Sequence, residues 1–391
     1  MEYIFLTNSA PQNSTLGNQR TNFLIDFFSE IFARFIYFSI VRLNFQEFID
    51  KNVIGKRNLP FFADIEFALA INMLIQNQDS KVLKLAKKLS RAQVVIADNC
   101  YVWPLVREAK RLNPALRIIY SSHNIEVQLK EKIAAQENSP VLQTTEYLEF
   151  LAQIEKEVLN TADLVFACSD DDSKLQLLSG ARECIVIPNG GKLRKIPTPA
   201  KEDIHNYLGA EKYALFVASA HRPNIHGFLH GIGLDFGFMP DKTRLVLVGS
   251  SAKYIYDRIN NSKYQKTFLN KGSRIDYASD KLLAQLYSSA SVVILPIYEG
   301  GGTNIKTAEA FLNSQSILTT SYALRGYDQR LWTGKSFHII ETRSQFKKGI
   351  IANLETTSSK PVTDEVNAFS WEWIRIEYFD IVQKVFQKHG F

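Results

Sequence analysis

Residues 300–302 are three consecutive glycines, followed by Thr303, Asn304, Lys306 and Glu309, all within IYEGGGTNIKTAEAF (297–311). Glycine loses more conformational freedom on ordering than any other residue, so such a run marks close backbone approach or an unusual turn. A strand is expected at 292–295 and a helix at 305–312. The amides of Gly300, Gly301 and Gly302 could then face a ligand with no Cβ in the way, while Thr303 or Asn304 caps the helix. Lys306, on the first helical turn, could reach back to a phosphate, and Glu309 lies one turn along the same face. This is chemistry for a diphosphate held by amides and an ammonium, with a carboxylate for a sugar hydroxyl.

Other candidates stand where expected strands end. His123 follows a strand at 117–121 and precedes Asn124 and Glu126. Its readings are a hydrogen-bonding site histidine or a capping or core one, and Glu126 reads as a base or as a glutamate on a helix surface. Ser219, His221, Arg222, Pro223 and Asn224 follow a strand at 213–218; Pro223 suits a first helical turn, and Asn224 reads as a cap. Arg325 follows a strand at 316–319 and could approach a nucleotide or pyrophosphate, with Tyr322 and Tyr327 available to stack on a base. Gly17 and Asn18 sit in the loop after a strand at 3–6. Asp170, Asp171 and Asp172 open a helix, where carboxylates complement the dipole, so no metal site is expected.

The elements that would position these residues form a repeating pattern. Strands alternate with helices throughout, as in crossover units of a parallel sheet, and 391 residues exceed what one core serves. PNGGKLRKIPTPAKED (188–203) carries three prolines and no apolar periodicity and reads as a linker. The expected fold is α/β: two Rossmann-like doubly wound domains facing each other across a cleft, at 1–190 (with a crossover helix at 369–391) and 191–368. Ligands of such sheets bind beyond the carboxyl ends of the strands, where Gly17, His123, Ser219, Gly249 and the glycine run fall.

With 46 basic and 40 acidic side chains the net charge is +6, too diffuse to argue for nucleic acid. Three widely spaced cysteines, Cys100, Cys168 and Cys184, suggest buried thiols in a reducing compartment. Residues 22–43 are rich in Phe and Ile, but Asp26, Glu30, Arg34 and Arg42 exclude a membrane span. Asp26, Glu30 and Arg34 read as one solvated stripe on a largely buried helix. Phe27, Phe28, Phe35 and the basic stretch 51–57 raise peripheral contact with an anionic membrane as a further expectation.

ILPIYEGGGTNIKTAEAFLNSQSILTTSYALRGYD (294–328) resembles the diagnostic C-terminal block of the family-four retaining glycosyltransferases of GT-B fold. YSSHNIE (120–126), TADLVFACSDDD (161–172), VIPNGG (186–191), LFVASAHRPNIHGF (215–228) and FSWEWI (369–374) agree in order. The resemblance is weakest at 44–80. It implies metal-independent transfer of a sugar, with retention, from a nucleotide-diphosphate sugar in the C-terminal domain to a glycan or lipid-linked glycan in the N-terminal one. The sugar donor is a co-substrate, and no cofactor is implied. The setting would be cytoplasmic synthesis of cell-surface polysaccharide or glycoconjugate, with the inner membrane face as one location.

By the same resemblance Glu309 matches the second glutamate of the family's E-x7-E motif and would bind donor sugar hydroxyls. The first position is Gly301, with Glu299 displaced by two. Arg222 fits the family's phosphate-binding arginine, whereas Gly227 or Phe228 occupies the place of its lysine, for which Lys306 would substitute. His123 would lie near the transferring centre, with Gly17, Asn18 and Glu126 on the acceptor side and Ser219, Glu299, Thr303, Asn304 and Arg325 on the donor side. The alternatives are a non-catalytic partner subunit of the same fold, or a nucleotide-sugar epimerase.

Overall fold

A computed structural model describes residues 2–8, 19–32, 34–40, 63–136, 141–194, 204–314, 316–327, 336–356 and 368–391. The chain divides into two compact units, one of Met1–Pro188 with Arg375–Phe391 and one of Asn189–Ile374.

The first unit runs β1 (Tyr3–Thr7), α1 (Gln19–Ile31), β2 (Phe35–Ser39), α2 (Ala63–Gln76), α3 (Ser80–Leu89), β3 (Val94–Asp98), α4 (Trp103–Leu112), β4 (Arg117–Ser121), α5 (Glu126–Gln136), α6 (Val141–Thr161), β5 (Leu164–Ala167), α7 (Asp170–Leu178) and β6 (Cys184–Val186). Its strands form a parallel sheet in the order β2-β1-β3-β4-β5-β6. Strands β1 (YIFLT) and β3 (VVIAD) are buried along their whole length, as runs covered on both faces must be. The order reverses between β1 and β3, which makes their carboxyl ends the topological switch point where ligands of such sheets bind.

Helix α1 buries Phe23, Phe27 and Phe28, and the last two are fully buried. Phe27 meets Phe379 edge-on at 6.2 Å, and Phe28 stacks on Phe386 at 6.2 Å. The partners come from α15 (Trp371–His389), whose residues from 375 onward belong to this unit. Two aromatic helices therefore cover one another, so Phe27 and Phe28 offer no surface to a membrane. Arg34 falls beyond the end of α1 and is not part of its polar stripe. The basic stretch 51–57 lies outside the described residues. Among the described residues no helix is long and apolar enough to cross a membrane.

The second unit runs α8 (Ile204–Leu208), β7 (Lys212–Val217), α9 (Arg222–Gly231), β8 (Thr243–Val248), α10 (Ser250–Asn260), α11 (Gln265–Lys271), β9 (Gly272–Ile275), α12 (Asp280–Ser289), β10 (Val292–Leu295), α13 (Ile305–Asn313), β11 (Ser316–Thr319), β12 (Ser336–Ile339) and α14 (Arg343–Glu355) before the first residues of α15. Its sheet is parallel in the order β12-β11-β10-β7-β8-β9. The switch point here lies between β7 and β10.

The two glycines read as linker are packed. A Cβ on Gly191 would stand 2.7 Å from the Glu309 nitrogen, and one on Gly190 would stand 2.8 Å from the Trp371 nitrogen. Gly191 donates to the Phe369 carbonyl at 2.7 Å and accepts from Trp371 at 3.2 Å. Asn189 donates its amide to Thr303 Oγ1 (3.2 Å) and its side chain to the Thr303 carbonyl (3.1 Å). Close backbone approach, and not only freedom to turn, explains glycine at these positions.

Candidate functional site

At the exit of β10 the chain turns through Gly300 (φ +132°) and Gly302 (φ +54°), conformations that side-chain-bearing residues rarely adopt. The carbonyls of Gly300 and Gly301 face inward, accepting from Tyr322 Oη and Arg325 Nη2, both at 2.5 Å. Arg325 also lies over the Tyr322 ring at 4.1 Å. Arg325 and Tyr322 thus brace the corner from beneath. Among the described residues no protein acceptor takes the amide hydrogens of Gly300, Gly301 or Gly302. Asn304 is the N-cap of α13, accepting from the Lys306 amide at 3.2 Å, while Thr303 holds Asn189.

Lys306 Nζ donates to Asn224 Oδ1 at 2.5 Å, and Asn224 Nδ2 donates to the Ser219 carbonyl at 3.0 Å. These bonds tie the exits of β7 and β10 together across the switch point. Burial, with the Arg325 guanidinium adding to it, brings the Lys306 ammonium down to about 8 against the opposing pull of Glu309. Sequence reasoning gave Asn224 a capping role; it is instead buried and holds the lysine. Arg222 and Pro223 open α9, with Arg222 partly buried.

The absence of a lysine at 227 or 228 has a steric cause. A Cβ on Gly227 would stand 2.0 Å from the Pro296 carbonyl oxygen, and Phe228 is fully buried in the core. Helix α9 therefore presses on the exit of β10, which brings Asn224 to Lys306. The Glu299 carboxylate faces His226 Nδ1 at 3.6 Å. Glu309 is fully buried, its Oε1 2.8 Å from Arg194 Nη2, and Arg194 Nη1 reaches Asp280 at 2.8 Å. Burial opposes the charge of Arg194, but Glu309, Tyr287 and Asp280 outweigh it and raise the guanidinium further. Arg194 was not singled out from the sequence, where it reads as one more basic residue of a linker.

In the first unit a second cluster sits at the β1/β3 switch point. Asp98, fully buried at the end of β3, accepts from Thr21 Oγ1 at 2.8 Å and lies 2.7 Å from His123 Nε2. Burial works to raise the Asp98 carboxyl, but the His123 charge and the hydrogen bonds from His123, Thr21 and Thr7 prevail and hold it below its usual range. Glu126 is buried, not a surface residue, and both its oxygens are used: Tyr101 Oη donates at 2.8 Å and Asn124 Nδ2 at 2.9 Å. Glu155 accepts from the Glu126 and Val127 amides at 2.7 and 3.2 Å. Burial lifts its carboxyl to about 7, the amides lowering it and the neighbouring Glu126 raising it. Asp98 was missed in the sequence, although a carboxylate closing the apolar run VVIA is the signal of a buried, partnered acid.

Asp170, Asp171 and Asp172 occupy the first turn of α7 behind the N-cap Ser169. Cys100 and Cys168 are buried and Cys184 is partly so, all as free thiols. Gly17 and Asn18 lie outside the described residues.

Two parallel six-stranded sheets with flanking helices, each with its polar cluster at a switch point, define a two-unit α/β protein of GT-B type. The Anabaena protein HepE in complex with UDP-glucose is similar over 98% of this chain and 100% of its own, with a TM-score of 0.63 and 15% identity. The protein OtsA, solved in its apo form, matches over 100% and 99% (TM-score 0.63, 12% identity), and the Burkholderia multivorans alpha,alpha-trehalose 6-phosphate synthase over 100% and 98% (TM-score 0.59, 12% identity). No protein-family model and no curated protein sequence matches the chain. At these identities the likeness establishes the fold.

Proposed function

We propose that the chain is a glycosyltransferase whose unit Asn189–Ile374 binds a nucleoside-diphosphate sugar and whose other unit receives a glycan or lipid-linked glycan acceptor. A UDP-sugar is the first donor to test, because the similar HepE was crystallised with UDP and with UDP-glucose. The observation that carries this reading is the corner at the β7/β10 switch point. There the amides of Gly300–Gly302, the N-terminus of α13 and the Lys306 ammonium stand together. A departing diphosphate needs such preorganised positive charge as the glycosidic bond breaks. Amides and an ammonium supply it without a metal ion, and Glu309 is assigned to the sugar hydroxyls.

Transfer with retention lets the departing phosphate accept the acceptor's proton. One observation favours a second course: His123 held by the buried Asp98 is the arrangement of an oriented general base. Such a base would take the proton during direct displacement, with inversion. The anomeric configuration of the product, read by proton NMR, separates the two.

Melting curves with UDP-, GDP- and ADP-sugars test the donor assignment, since a ligand that binds only the folded form raises the transition. A rise with one class, and loss of transfer in Lys306→Ala and Glu309→Ala, is the expected result. Full turnover in both variants would remove the site assignment, and product formed from donor alone would point to an epimerase.

A further inference from the structure

We propose that Arg194, on the segment entering the second unit, is a positioning residue that keeps the buried Glu309 ionised and aimed, so that the site can recognise the sugar half of a nucleotide sugar. The inference rests on the donor-site reading above. The Arg194 side chain is 5% exposed and that of Glu309 fully buried, with 2.8 Å between guanidinium and carboxylate. A carboxylate so enclosed would otherwise take up a proton.

The segment bearing Arg194 is fastened to the helix that bears Glu309. The Arg194 amide donates to Asn313 Oδ1 at 2.7 Å, and Asn313 Nδ2 donates to the Lys192 carbonyl at 2.9 Å and the Glu309 carbonyl at 2.8 Å. Asp280, at the start of α12, fixes the other guanidinium nitrogen at 2.8 Å and is itself met by Lys192 at 2.5 Å. A chain of alternating charges, Lys192, Asp280, Arg194 and Glu309, thus runs from the surface to the buried carboxylate. Among the described residues, Tyr287 on α12 and Lys306 on its own helix also interact electrostatically with Glu309. Tyr287 carries no positive charge and Lys306 is bonded to Asn224, whereas the Arg194 guanidinium contacts the carboxylate directly.

The test uses the full chain with Arg194→Met, Arg194→Lys and the double variant Arg194→Met/Glu309→Gln. Without ligand, the folding equilibrium of Arg194→Met should acquire a slope beyond that of wild type, falling by up to about a further tenfold per pH unit between pH 5 and 8, because the folded state of the variant then binds an extra proton. The double variant should lose that slope and recover stability, which also keeps the test open if Arg194→Met folds poorly. With ligand, Arg194→Met should bind UDP within about twofold of wild type while its affinity for UDP-glucose falls about tenfold or more, as for a lost charged hydrogen bond. Arg194→Lys should restore part of that affinity. A wild-type pH profile and unchanged UDP-glucose affinity in Arg194→Met overturn the role of Arg194 alone. Failure of the wild-type chain to bind any nucleotide or nucleotide sugar overturns the donor-site reading and this inference with it.

Discussion

Lys306 is the residue on which the donor assignment turns, and its ammonium titrates near 8. The charged form is the one that attracts a diphosphate, so UDP affinity should hold between pH 6 and 7. Above about pH 8 it should fall by up to about tenfold per pH unit. Lys306→Met should flatten that profile and lower affinity at pH 7 by about tenfold or more, a charged contact being worth about 1.5–3 kcal/mol. Calorimetric titration across pH reads both effects, and an unshifted profile in the variant contradicts the role. Asp98 belongs to the other unit, and in the proposed transfer it would act at a different step. Asp98→Asn leaves an amide where the His123 ring has a buried carboxylate. Its transfer rate should drop by about tenfold or more while UDP binding stays near wild type; steady-state kinetics beside equilibrium binding would show the split.

Within single elements, two features carry measurable consequences. Gly227→Ala sets a methyl against the Pro296 carbonyl at 2.0 Å, too close for side-chain motion to relieve. It should cost about 1–3 kcal/mol in urea unfolding and weaken UDP binding through the displaced Asn224. Glu155 closes the N-terminus of α5 with a carboxyl that titrates near 7 in the folded chain, above its ordinary 4.5. The folded state therefore binds the extra proton between those values, and stability declines as pH rises through that window. The decline should reach about 3 kcal/mol by pH 8, and Glu155→Gln should remove most of it; equal slopes in both proteins would refute this origin.

How much could be read in advance divides along the same line. The glycine corner, the Asn304 cap, Lys306 and the strand alternation are local patterns, and each is present. Asn224, Asp98 and Arg194 act through partners 82, 25 and 115 positions away, distances no local spacing encodes. Helix α2 was overlooked because ADIEFALAINMLIQ is apolar on nearly every face and shows no polar stripe. Helices α5, α8, α11 and α14 and strand β12 are likewise not legible in the sequence, and α8, α11 and β12 are too short for a period to emerge.

For the molecule as a whole, the aromatic helix α1 is the element whose meaning changes most between sequence and structure. Its Phe27 and Phe28 are interior residues packed on α15. Phe28→Ala should therefore cost about 3–5 kcal/mol of stability and leave co-sedimentation with anionic vesicles at the wild-type level. Loss of vesicle binding with stability intact would return this helix to the surface. Each unit carries its polar cluster where its strand order reverses, the position at which parallel sheets of this kind bind ligands.

The most direct measurement is a crystal structure of the chain grown with UDP. Diphosphate oxygens should lie about 2.7–3.2 Å from the amides of Gly300–Gly302 and from Lys306 Nζ. A diphosphate bound away from that corner, with Lys306 still held only by Asn224, would contradict the donor site and the transferase reading built on it.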